Sequence, residues 1–273
     1  MLGKLFLTQS DGIPVHTYTA PDDGWAVNSH IIELPSQLII VDAQYMLPYA
    51  REVSAYAVQL AKPATRLYLS HYHPDHILGA AAFSAPIYAL PEVKARIEAA
   101  GDRIAAIPVH AEREKHSDAV PARTERPGHV VEPGFETIDG EPFDFIRAKY
   151  AETENSLMIG LPNHSILITQ DLMFNHVHAF LGEKAFAGWC EALNQTQRLH
   201  YNRLLPGHGD PGGHDLYDEM RDYLAVARQA YLDSYDAEEF KQRLIDDFPD
   251  YQGRALLDHQ MRFLFPKTST TFV

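Results

Sequence analysis

Residues 71–76 read His71-Tyr72-His73-Pro74-Asp75-His76, four metal-competent side chains within six positions. That pattern arises by chance in a chain of this composition roughly three times in a thousand. The chain has 15 histidines, and isolated ones such as His16, His164 or His259 are ordinarily surface or satisfied core residues. The cluster is different because its spacing has a use. Alternate residues of an extended strand point the same way, so His71 and His73 can share one ion. Pro74 turns the chain out of that direction. Asp75 and His76 then face a second point a few ångströms away.

Working outward, residues 66–70 read as a short strand running straight into the cluster. Before it, 13–18, 29–33 and 38–41 read as strands and 47–60 as a helix stopped by Pro63. After it come a strand at 87–90 and a helix at 91–100. The polar stretch 108–134 reads as a long loop, a candidate lid. Residues 135–147, 156–160 and 165–169 return to strands, followed by a helix at 188–201 and a strand at 203–206. From 215 onward the pattern is helical: 216–233, 237–248 and 253–265. Two batches of strands with interspersed helices predict two sheets packed face to face, with helices outside.

Two further residues fit a metal site. Asp171 follows the apolar run Ile166-Leu167-Ile168, and a charge placed there is a helix cap or a site residue. His208 lies between Gly207 and Gly209, which let the backbone bend and bring the imidazole close.

Composition narrows the classes. The chain has 273 residues, 45% apolar and 22% charged, as expected of one large globular domain or one domain with an appendage. Lys plus Arg is 23 against 37 Asp plus Glu, a net charge of −14, which speaks against nucleic acid and anionic membrane surfaces as partners. The single cysteine, Cys190, excludes an internal disulfide and Cys-based clusters, and reads as inert in a helix. Residues 1–7 carry one lysine and too short an apolar run for a signal peptide. No stretch approaches the roughly 20 apolar residues of a membrane span. A soluble, cytoplasmic protein is the expectation.

The 71–76 motif, followed by Gly79, resembles the signature of the metallo-β-lactamase superfamily. Val41-Asp42 resembles that family's early strand-and-turn aspartate. Thr169-Gln170-Asp171 resembles the segment carrying its bridging aspartate, and Pro206-Gly207-His208-Gly209 the segment carrying its last histidine ligand. The resemblance covers about 13 to 210. It implies an α+β fold, the αββα four-layer sandwich, over 1–214, with 215–273 as a C-terminal helical extension packed on it. One position departs from the family. Where a histidine usually precedes a strand, this chain reads Ala151-Glu152-Thr153-Glu154-Asn155, and Glu152 is inferred to replace the third ligand, with Glu154 the lesser substitute. The alternative is that this turn has lost its ligand and the first site is weak.

The resemblance thus implies two divalent ions. His71, His73 and Glu152 hold the first; Asp75, His76 and His208 hold the second; Asp171 bridges. Zinc is the expected metal, but a third carboxylate favours harder ions, so iron and manganese stay open. The implied function is hydrolysis of an ester, thioester or lactone-type acyl bond of a small molecule by a metal-bridging hydroxide, with Asp75 handling the proton. A di-iron oxygen-using protein and a non-catalytic metal-binding member are the alternatives. Asp42 is expected to orient a ligand or loop, and Tyr72 to wall the pocket. His176 and His178 are expected to line the pocket or support a ligand. Trp25 and Asn28 read as structural. The helical tail is the candidate surface for a homodimer.

Overall fold

The computed structural model describes residues 1–10, 12–105 and 119–266. Most of the first half of the stretch read as a lid therefore lies outside the described residues. Among the described residues, twelve strands form two sheets. One has the order β1(Lys4–Ser10), β2(Ile13–Thr19), β3(Asn28–Glu33), β4(Leu38–Val41), β5(Ala64–Tyr68), β6(Ile87–Ala89), β7(His129–Val130). The other has the order β12(Arg203–Gly209), β11(Ile166–Asn175), β10(Asn155–Leu161), β9(Glu141–Lys149), β8(Gly134–Ile138). This is the mixed α+β architecture expected from the two batches of strands.

The first four strands are an antiparallel meander. β4, β5 and β6 then run parallel. Parallel neighbours need a crossover, and α1(Leu47–Gln59) supplies the one between β4 and β5. It buries Tyr49, Ala50, Val53 and Ala57, a single helical face. Tyr18 on β2 donates its hydroxyl to Glu52 of α1 at 2.8 Å. In the second sheet, β8 and β9 form a hairpin through Asp139-Gly140, both at positive φ as such a tight turn requires. The apolar runs Ile39-Ile40-Val41 and Ile166-Leu167-Ile168 are essentially fully buried, the pattern of strands covered on both faces.

Four differences from the sequence reading matter. β1 is an additional edge strand. The stretch read as one loop contributes the edge strand β7. β12 runs on to Gly209, so His208 is the penultimate strand residue. β11 runs past Asp171 to Asn175, so that residue is neither a helix cap nor a strand terminus. The register of β11 on β12 shifts on either side of Gln170, which has φ 46. A bulge of this kind re-aims the following side chain while the strand continues.

The remaining helices are α2(Pro74–Ile77), α3(Pro91–Ala100), and, in chain order, α4(Phe186–Gln197), α5(Leu216–Asp233), α6(Ala237–Asp247) and α7(Arg254–Leu264). α4 and α5 lie against β11. α5 buries Leu216, Tyr217, Met220, Tyr223, Leu224, Ala227 and Ala230, the core-facing stripe its spacing predicts. Asp236 caps α6 by accepting from the Glu239 amide at 2.9 Å. Cys190 is half-buried on α4 and free. Among the described residues, no helix is long and apolar enough to cross a membrane.

Candidate metal centre and substrate cavity

The motif leaves β5 and enters α2, with His73 as the extended residue before the helix and Pro74 in its first turn. His71 and His73 therefore precede the turn, whereas Asp75 and His76 sit inside it. His71 and His73 both reach Glu152: His71 Nε2 lies 3.4 Å from Oε2, and His73 Nδ1 lies 3.0 Å from Oε1. Asp75 and His76 meet His208 from β12: Asp75 Oδ2 is 3.4 Å from His76 Nε2 and 3.2 Å from His208 Nε2. Asp171 stands between the groups. Its Oδ1 is 3.1 Å from His76 Nε2, and its Oδ2 is 3.4 Å from His208 Nε2 and 3.8 Å from His71 Nε2.

Glu152 sits in the β9–β10 turn, where Tyr150 has φ 53 and donates its amide to the Glu154 carbonyl at 3.1 Å. This turn buries Ala151, Glu152 and Thr153 and leaves Glu154 exposed. Of the two acidic residues there, Glu152 alone faces the histidines.

The unpaired polar atoms of the donor set fit a bound cation. His71, His76, His208, Glu152, Asp171 and Asp75 are each at most 4% exposed. Among the described residues, His71 Nε2, His76 Nε2, both Glu152 oxygens and Asp171 Oδ1 have no hydrogen-bond partner. Buried polar atoms are normally paired, and buried charges are paired or coordinate metal. The ligand atoms of His71, His73, Glu152 and Asp171 lie within 4.8 Å of one another, as do those of Asp75, His76 and His208. Four imidazoles and three carboxylates so arranged fit two divalent ions.

Surrounding groups fix the histidine tautomers. Asp42 follows β4 with φ 60 and accepts at Oδ2 from His76 Nδ1 at 2.7 Å, from the Ser70 hydroxyl at 2.6 Å and from the Gln170 amide. His208 Nδ1 donates to the Trp25 carbonyl at 2.8 Å. Asn28 donates to the carbonyls of Pro206 and Gly209, fixing the bend around His208. In both histidines Nε2 is thereby left facing the cluster. Asp42 holds the His76 imidazole in orientation. Asp42→Asn is expected to lower metal affinity about 10–100-fold, read by competition against a chromogenic chelator; unchanged affinity would contradict this role.

Burial dominates the titration of the cluster, and charges then sort it. Burial, with His76 and His73 nearby, pushes His71 well below its ordinary value. Burial would do the same to His208, but Asp171 and Asp75 outweigh it and hold it up at about 9. Burial raises Glu152 to about 7, against the pull of His73. Asp171 is held low, because His76, His208 and His71 overcome its burial.

His30 lies deeper. It contacts the Thr17 hydroxyl at 2.9 Å and Gln170 Oε1 at 3.0 Å, and burial lowers it from 6.5 to about 4. The unfolded chain therefore takes up a proton between about 6.5 and 4 that the folded chain refuses. Stability falls as pH drops through that window, by up to about 3 kcal/mol from this residue. Urea unfolding of chelator-treated protein at several pH values should show a shallower fall for His30→Gln. Parallel curves would contradict the assignment.

The cluster opens into a cavity of about 640 Å³, within the range of small-molecule sites. Its walls include Trp25, Tyr72, Ile104, Phe180, Leu256 and Phe263, with Arg96, Arg103, Glu183 and His259 as further polar groups. Tyr72 lines the cavity and donates its hydroxyl to Glu183 at 2.6 Å. Trp25, read as structural, also lines the cavity. His176 and His178 do not line it: His176 is exposed against Tyr251, and His178 is buried beside Tyr223 and Tyr251. They follow Asp171 closely, but β11 carries the chain beyond the site before they occur.

Residues 22–232 match the family model of the metallo-beta-lactamase superfamily. The chain belongs to that superfamily, and its general class is that of metal-dependent, hydrolase-like proteins. A linear primary-alkylsulfatase of Pseudomonas sp. (strain ATCC 19151) is 24% identical over 237 residues, 73% of this chain and 44% of that protein. The chain thus spans less than half the length of this curated relative. A metallo-beta-lactamase from Pontibacter korlensis superposes with TM-score 0.61 at 18% identity, over 81% of this chain and 99% of its own. The mono-zinc form of the metallo-beta-lactamase FIM-1 from Pseudomonas aeruginosa gives 0.59 at 18%, over 82% and 96%. These structures share the fold.

Proposed function

We propose that this protein hydrolyses an ester, thioester or lactone-type acyl bond of a small, partly apolar molecule. The observation that carries the reading is the seven-residue donor cluster opening into an aromatic-walled cavity. His71, His73 and Glu152 would hold one divalent ion, and Asp75, His76 and His208 a second, with Asp171 shared. Zinc is the expected metal; three carboxylates keep manganese and iron as candidates. Bound ions supply a Lewis acid and a water acidified to near neutral pKa.

The chain's own residues do the rest. Asp42 and the Trp25 carbonyl hold His76 and His208 in orientation. Asp75 lines both cluster and cavity, and His76 and His208 overcome its burial to keep it ionised. Its carboxylate is thus available to take a proton from the attacking water and return it to the leaving group. Trp25, Phe180 and Phe263 exclude water from the reacting bond.

The alkylsulfatase relative favours a second reading, in which the bond cleaved is a sulfate ester. Arg96, whose guanidinium sits 4.9 Å from the centre of the Tyr72 ring, and Arg103 line the cavity and can face an anion. A panel of p-nitrophenyl esters, thioesters, lactones and primary alkyl sulfates, assayed with metal-loaded protein, separates the two. Turnover of an acyl class, lost in Asp75→Asn, supports the first reading. Turnover of alkyl sulfates alone supports the second, and activity unaffected by Asp75→Asn would overturn the proposed role of Asp75.

A further inference from the structure

Helix α7 enters the cavity with Leu256, His259 and Phe263, one face of the helix at intervals of three and four residues. Between them in sequence stands Gln260, fully buried. Its amide donates to the Ala179 carbonyl at 2.9 Å and accepts from the Leu181 amide at 2.6 Å. These two bonds bracket Phe180. Lys184 adds a bond to the Leu264 carbonyl at 3.0 Å, and His176 and His178 pair through their backbones with Gln252 just before the helix. The helix is therefore fastened along the whole segment 176–184.

The rings thus positioned form a continuous collar. Phe180 contacts His73 at 5.0 Å between ring centres and Phe263 at 5.5 Å. His259 contacts Phe263 at 5.8 Å and Trp25 at 5.0 Å. Trp25 in turn accepts the hydrogen bond from His208. The collar begins beside one proposed ligand and ends beside another. Phe263 is 38% exposed, a large apolar side chain left open on a cavity wall.

We propose that the C-terminal helix is the substrate-selecting wall of the site: Phe263, Leu256, Phe180 and Trp25 take an uncharged hydrocarbon chain of the substrate, and Gln260 positions Phe180 for it. This rests on the hydrolase reading above, with the scissile bond at the metal cluster and the chain extending along the collar. It makes residues 254–264 part of the active site and not an accessory layer.

The test uses binding, so it does not depend on turnover. Acetate, butanoate, hexanoate and octanoate are titrated into metal-loaded protein by calorimetry, and metal content is measured in parallel. In the wild type, affinity is expected to rise about fourfold per methylene as the chain is buried. Phe263→Ala should flatten that rise and leave metal content unchanged. Gln260→Leu should weaken octanoate more than acetate by displacing Phe180, and Gln260→Glu, which can still accept from Leu181, should recover part of the loss. An equal rise in wild type and Phe263→Ala, or no rise in the wild type, overturns the proposal. Chain-length-dependent binding without turnover of any panel member supports the collar and counts against the hydrolase reading. Turnover with no chain-length dependence does the reverse.

Discussion

Replacing Asp171 with alanine is expected to lower kcat/KM by about a thousandfold or more, the consequence of losing several kcal/mol of metal-derived transition-state stabilisation. It is the residue whose two oxygens approach histidines of both donor groups, His71 on one side and His76 and His208 on the other. In the proposed arrangement every other ligand would serve one ion and Asp171 two, so its loss would weaken both. Without its charge the cluster would also lose one of the three carboxylates that balance two divalent ions. Metal content and kcat/KM on the best substrate read the effect, and circular dichroism checks the fold. A folded variant that retained both metals and full turnover would contradict the bridging position.

The second large effect is expected at Gly207. A Cβ on this residue would stand 1.9 Å from Asp171 Oδ1 and 2.9 Å from both the Asp171 amide nitrogen and the Gln170 carbonyl carbon. Backbone cannot yield as a flexible side chain can, so β12 must move away from the bulge in β11. Gly207→Ala is therefore expected to cost about 1–3 kcal/mol of stability through overpacking. Turnover should fall about a hundredfold as Asp171 and the neighbouring His208 shift by fractions of an ångström. Thermal melting with kinetics and metal content measures both. Wild-type values for all three would mean that β12 has room to spare, against the close approach seen here.

The parts of this site legible in the sequence are those written in one short segment or at a strand end. Two-residue alternation followed by a proline was enough to separate His71 and His73 from Asp75 and His76. The resemblance then singled out Glu152, and the turn that buries it exposes Glu154. Asp171 was legible as a charge after an apolar run, but not as a residue within a continuing strand, because a bulge depends on the partner strand's register. His176 and His178 looked close to the site by sequence distance, yet five to seven residues of extended chain carry a side chain far from its starting point. Phe180, Arg96, His259 and Phe263 carry no local signal. They converge only because α3, the segment after β11 and the last helix meet around one opening, and isolated aromatic or histidine residues read as ordinary until those partners are known.

Metal content per chain, measured by elemental mass spectrometry on wild type and Glu152→Ala purified without chelators or a metal-affinity column, tests the dinuclear assignment most directly. The arrangement of His71, His73 and Glu152 around one point, and of Asp75, His76 and His208 around another, predicts about two ions in the wild type and about one in the variant. One ion or fewer in both proteins would contradict it, because Glu152 would then contribute nothing to a first site.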